Sequence, residues 1–281
     1  MPSRRATYPL PSVGGGAFLD LKRVRVRRER PTALAWALAL CVTMLVVYVL
    51  TLNAGRPDVV ESMAPAPRVT REIAFEGLKG WCVQMAACDS DQAARLAASA
   101  YSGRGAGGYV TRLEGEWAVL GAVYESEQDA ARIARRLSEE AGIPSRVVCL
   151  EAEPVKLRIT APEAQIDAIA EADALLRRET RRLGEIALQL DRGELRPEAA
   201  RTLCGVSAEE AATAARALSA IPGASENALC AGLIGRLETL SDMEKALSGS
   251  GEQGASLSGM VRCAQIENFV GQQGMQEGLS G

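Results

Sequence analysis

The stretch "WCVQMAACDSDQAARLA", Trp81–Ala97, is nearly repeated by "WAVLGAVYESEQDAARIA", Trp117–Ala134, thirty-six residues further on. Trp81 matches Trp117, Val83 matches Val119 and Ser90 matches Ser126; after a one-residue offset "QAARLA" matches "DAARIA". Each copy opens with the apolar-rich alternation of a strand. Each then reaches an acidic-Ser-acidic cluster, "DSD" or "ESE", in which Ser90 or Ser126 can cap a helix and the carboxylates favour its first turn. The helix that follows has an Ala-rich face: Ala93, Leu96, Ala97 and Ala100 in the first copy, Ala130, Ile133, Ala134 and Leu137 in the second. Glycine closes both, in "SGRGAGG" and "EEAGIP".

Around these copies the chain adds strands. Glu114-Gly115 breaks "YVTRLEGEWAVLGAVY" into two strands and a tight turn, and "SRVVCLEAEPVKLRI" reads as a last strand. The order strand, helix, strand, strand, helix, strand predicts an α+β, ferredoxin-like βαββαβ domain over residues 75–160, an antiparallel sheet with both helices on one face. Alternation turns Val83, Met85 and Val119 toward the helices and leaves Cys82, Gln84, Ala86, Ala118 and Leu120 on the other face. That face is apolar for a sugar-binding surface, and a C-terminal segment or a partner protein is the alternative cover.

The doubled pattern resembles the SPOR domain, the bacterial module that recognises septal peptidoglycan. Trp81, Val83, Gln84 and Met85 match the family's first strand, with Ala86, Ala87 and Cys88 standing where Gly, Ser and an aromatic are usual. Trp117, Val119 and Tyr124 match the second half, with Gly121 or Ala122 at its small position. The likeness covers about 80 of the 281 residues. It implies binding of glycan strands stripped of their peptides, at division or sporulation septa, with no catalysis and no cofactor. The glycan contacts it suggests are Gln84, Arg112, Trp117 and Trp81, on or beside the open sheet face. An exposed strand Gln is ordinarily just solvated, and strand tryptophans are more often core or sheet-edge residues than sugar platforms.

On the N-terminal side, residues 32–52, "TALAWALALCVTMLVVYVLTL", carry no charge and suffice as a helix to cross a bilayer. Residues 1–30 hold eight arginines and lysines against two acids, a net +6, so the rest of the chain carries −9 within the total of −3. The positive-inside rule sets residues 1–31 in the cytoplasm and everything beyond residue 52 outside, so the chain reads as a single-pass signal-anchor protein of the bacterial cytoplasmic membrane. Residues 53–74, with Pro57, Pro65 and Pro67, form a linker. The partners this organisation implies are the lipid bilayer, peptidoglycan, and division or sporulation proteins; topology explains the basic head without nucleic acid.

Residues 161–248 read as helical. Ile169, Leu176, Leu183 and Leu190 recur every seven residues, Pro197 starts a short helix, "SAEE" at Ser207–Glu210 has capping-box spacing for another, and Leu229, Leu233, Leu237 and Leu240 give a last helix its apolar face. Residues 249–281 are glycine-rich and predict a mostly disordered tail with a weak helix around Met260–Val270. Six cysteines lie beyond the apolar run. Pairs Cys149 with Cys82 or Cys88, and Cys204 with Cys230, are open alongside the reading that all are small buried apolar residues. The chain has no histidine and no CxxC pair, which argues against a metal site and against imidazole-assisted catalysis. Beside the cell-wall reading stands a membrane scaffold that uses the same regions for protein contacts; a hydrolase comes third, since the acids fall at caps and on helix faces.

Overall fold

The computed structural model describes residues 67–280. The predicted membrane helix at 32–52, its basic head and most of the linker lie outside the described residues. Among the described residues no helix is long and apolar enough to cross a membrane.

The two repeats form β2 (Leu78–Cys88) with α1 (Asp91–Ser102), and β4 (Glu116–Tyr124) with α2 (Glu127–Glu140). The serines cap as their positions require: Ala93 N–H donates to Ser90 Oγ at 3.2 Å and Asp129 N–H to Ser126 Oγ at 3.4 Å. β2 and β4 pair antiparallel, with Trp81 opposite Tyr124 and Cys88 opposite Trp117. β3 (Tyr109–Leu113) joins β4 through Glu114 and Gly115, whose φ angles of 51° and 92° suit a tight hairpin turn. β5 (Arg146–Ala152) lies on the far side of β2, giving the sheet order β3-β4-β2-β5. One face packs on α1 and α2, where Val83 and Met85 meet Ala130 and Ala134, and Val119 meets Ala94 and Ala98. Irregular pairing after Val83 shifts the register of β2, so Ala86 turns to the helix face beside Val119 instead of away from it.

The expected architecture, a ferredoxin-like SPOR-type domain with a bare sheet face and a separate all-α region after it, does not describe this molecule. Residues taken as linker and as the end of one last strand instead form a second sheet. β1 (Arg68–Phe75) pairs antiparallel with β6 (Val155–Pro162), from Arg68 opposite Pro162 to Phe75 opposite Val155. The segment read as one strand divides at Glu153-Pro154, where proline removes a ladder donor.

The helices that follow are α3 (Glu163–Asp191), α4 (Pro197–Ser219), α5 (Ala228–Ser248) and α6 (Gly254–Ser280). They do not keep a core to themselves. Ile73, Phe75 and Val155 of the small sheet share one apolar cluster with Ile166 and Ile169 of α3, Leu233 and Leu237 of α5, and Leu257 and Val261 of α6. Ser207, expected at a helix start, lies inside a continuous α4.

The largest departure is α6, twenty-seven residues of helix where a disordered tail was expected. Its composition misleads because its glycines and amides are packing devices. A Cβ at Gly259 would come within 2.6 Å of Ser102 O and 2.7 Å of Ala106 O, so glycine there permits backbone contact. Gln265, Asn268, Gln272 and Gln276 are buried and donate to carbonyls of Val123, Leu176, Leu176 again, and both Glu76 and Glu153. Ile266 and Phe269 press on Cys82, Leu120, Val123 and Leu150, so the sheet face is not open but is closed by the C-terminal segment, the alternative cover for its apolar residues.

Candidate functional site

The four expected glycan contacts do not converge. Gln84 is 3% exposed. Arg146 Nε donates to its Oε1 at 2.7 Å, and its Nε2 donates to Ala86 O at 3.2 Å, so the amide bridges β5 and the irregular stretch of β2 rather than facing solvent. Trp81 and Trp117 both lie on the helix side of the sheet, packed against the clusters under α2 and α1, at opposite ends of the β2–β4 pair. Each carries a cation over its ring: Lys79 Nζ is 5.5 Å from the Trp81 ring centre and Arg112 Cζ 5.6 Å from that of Trp117. Arg112 and Trp117 are therefore one pair, held also by Arg112 donating to Gly115 O at 3.3 Å. Trp81 belongs to a different place.

A groove of about 720 Å³ opens where α3 and α6 meet the ends of β2 and β4. Tyr124, Lys79, Asp129, Thr180, Arg181 and Glu185 are among the side chains on its walls. The second repeat supplies one wall directly, since Tyr124 ends β4 and Ser126 caps α2. Arg177 is fixed there by Asp173 at 2.8 Å and by donating to the carbonyls of Glu76 and Gly77. Lys79 is paired with Glu151 at 2.9 Å, which raises its pKa. Arg181 and Glu185 are exposed, one helical turn apart. The walls thus offer donors and acceptors of both charge signs beside an aromatic ring, a lining suited to a hydroxyl-rich neutral or weakly charged ligand.

All six described cysteines are free thiols. Cys149 stands opposite Trp81 and so shares its face of the sheet, while Cys82, the next residue along β2, is buried under α6 on the other face. Cys88 is at the opposite end of β2, beside Trp117. Cys230 accepts a hydrogen bond from Gln165 Nε2 at 3.4 Å rather than bonding to Cys204. Burial pushes the thiols of Cys82 and Cys204 up to about 12, so both stay protonated and unreactive. Among the described residues no group of Cys, Asp and Glu could hold a metal ion.

Two acids were misplaced by the sequence. Glu179 and Glu244, read only as acids on helix faces, are fully buried where α3, α4 and α5 meet. The signal was present: Glu179 lies on the stripe of Leu176, Leu183 and Ile186, and Glu244 on that of Leu237, Leu240 and Leu247.

No protein-family model, curated protein or solved structure matches the chain.

Proposed function

We propose that this is a non-catalytic cell-wall-binding protein of the bacterial membrane, held there by residues 32–52, that grips peptide-stripped glycan strands in division or sporulation. The observation that supports it is the adjacency of the two SPOR-like half-copies, β2 with α1 and β4 with α2, as partner strands with their helices on one face. Because α6 occupies the other face, the groove beside Tyr124 and Arg181 is the place for a sugar chain. An aromatic ring beside mixed donors and acceptors suits sugar rings and hydroxyls.

The test is co-sedimentation of the full chain with sacculi treated with amidase, against untreated sacculi. Enrichment on the treated sacculi, lost in Tyr124→Ala and Arg181→Glu, is expected. A chain left in the supernatant with both preparations rejects the proposal. The scaffold alternative draws on exposed Leu203 and Val206, one turn apart on α4. If that patch makes the contacts, Val206→Lys abolishes assembly of the chain in membranes and leaves sacculus binding untouched.

A further inference from the structure

Where α3, α4 and α5 meet, three polar side chains are sealed from water: Glu179 and Glu244 are 0% exposed and Ser207 1%. Backbone and ion-pair contacts put them at one level. Ser241 Oγ donates to Ala208 O at 2.9 Å, which aligns α5 with α4, and Arg178 reaches Glu210 while Arg182 donates to Leu203 O at 3.3 Å, which aligns α3 with α4. Ser207 lies between these contacts on α4, and Glu179 between the two arginines on α3.

Charge compensation is one-sided. Glu179 Oε1 has Arg182 Nη1 at 3.5 Å and Arg178 Nε at 3.7 Å. Glu179 Oε2, Ser207 Oγ and both carboxyl oxygens of Glu244 have no hydrogen-bond partner. An ionised carboxylate in that setting is far costlier than a neutral acid, and the neutral acid is itself a donor. The partnerless oxygens at the same level are Glu179 Oε2, on a carboxylate whose Oε1 faces the arginines, and Ser207 Oγ.

We propose that Glu244 holds a proton through neutral pH, that this proton latches α5 to α3 and α4, and that losing it loosens the junction. The charged and titratable groups facing Glu244 are Glu179 and Arg182 from α3, and Cys204 and Glu210 from α4. Burial, then the charge of Glu179, pushes the Glu244 carboxyl up to about 8, with Arg182 opposing and Glu210 adding to the rise. The Cys204 thiol, pushed up to about 12, does not compete for the proton.

The folded-state value lies above the ordinary 4.5. Between those limits the folded chain keeps a proton that the unfolded chain has lost. This contribution to stability is complete below about pH 4.5, declines as pH rises through the window, and is gone above about pH 8. Glu244→Gln keeps the shape and a donor without the titration. In the full chain, the unfolding equilibrium constant of the wild type relative to Glu244→Gln is expected to rise by about tenfold per pH unit between roughly pH 5 and 7.5, then level off. A ratio that does not change with pH overturns the proposal. Should Glu244→Gln fail to fold, infrared spectra of the wild type decide. A protonated-carboxyl stretch persisting at pH 7 and vanishing by about pH 9.5 supports the buried Glu244 proton, and its absence at pH 7 refutes it.

Discussion

Replacing Gly80 tests whether α6 covers the sheet. A Cβ built at Gly80 would stand 2.6 Å from Phe269 Cζ and 2.8 Å from Val123 Cγ2. Neither neighbour can retreat freely, because both belong to the cluster of Cys82, Leu120, Leu150 and Ile266. Overpacking of this kind costs about 1–3 kcal/mol, so Gly80→Ala should lose about 2 kcal/mol. Phe269→Ala removes a buried ring and should cost about 3–5 kcal/mol. In the double variant the new methyl group enters the space the ring has left, and of its close contacts the one to Val123 remains. The added cost of Gly80→Ala should then fall to about 0.5 kcal/mol, a coupling of roughly 1.5 kcal/mol. The assay is chemical unfolding of the full chain, followed by tryptophan fluorescence, for the wild type and the three variants. Strictly additive costs, or a Phe269→Ala variant within about 1 kcal/mol of wild type, would show that the helix does not rest on this face.

Other tests address the remaining contacts. At Gly271 an added Cβ would fall on the guanidinium of Arg236, which donates to Glu267 O at 2.8 Å; Gly271→Ala should cost about 1–3 kcal/mol, most of it absent in an Arg236→Ala background, as denaturant midpoints will reveal. Gln84→Leu removes the bonds to Arg146 and Ala86 and should cost about 1–2 kcal/mol; if it instead abolishes sacculus binding while leaving stability unchanged, Gln84 is a ligand contact and its structural assignment here is mistaken. Timed thiol labelling with mass spectrometry should modify exposed Cys149 before buried Cys82, Cys204 and Cys230, and detection of a Cys204–Cys230 disulfide would contradict the free-thiol arrangement.

The repeat was legible because its signals are local. Capping serines, the Ala-rich face of α2 and a two-residue turn act within a few residues of chain, and each stands where the pattern placed it; in α1 the buried residues are Ala94 and Ala98 instead of Ala93, Leu96, Ala97 and Ala100, and Leu96 is exposed. β1 was hidden for the opposite reason: only Ile73 and Phe75 of its eight residues are buried, so alternation barely shows, and its pairing with β6 depends on residues some ninety positions away. α6 was misread because glycine and glutamine ordinarily signal disorder, whereas here Gly259 admits a carbonyl contact and Gln272 and Gln276 satisfy buried backbone acceptors. Neither role is visible without the partner segments. Gln84 illustrates the same limit in the candidate site. Its residue type fits a sugar contact, but Arg146 and the shifted register of β2 bury it. Glu179 and Glu244 lie between these cases, since the apolar stripes betray their burial but not the carboxyl oxygens left without partners.

Residues 254–280 leave the ribosome after every strand they cover. A nascent chain halted before Gly254 presents Cys82, Leu120, Val123 and Leu150 to whatever surrounds it. Chaperones and proteases therefore meet a sticky intermediate until synthesis has passed the whole of that segment, and C-terminal nonsense or frameshift alleles should behave as degraded nulls rather than as shortened but working proteins.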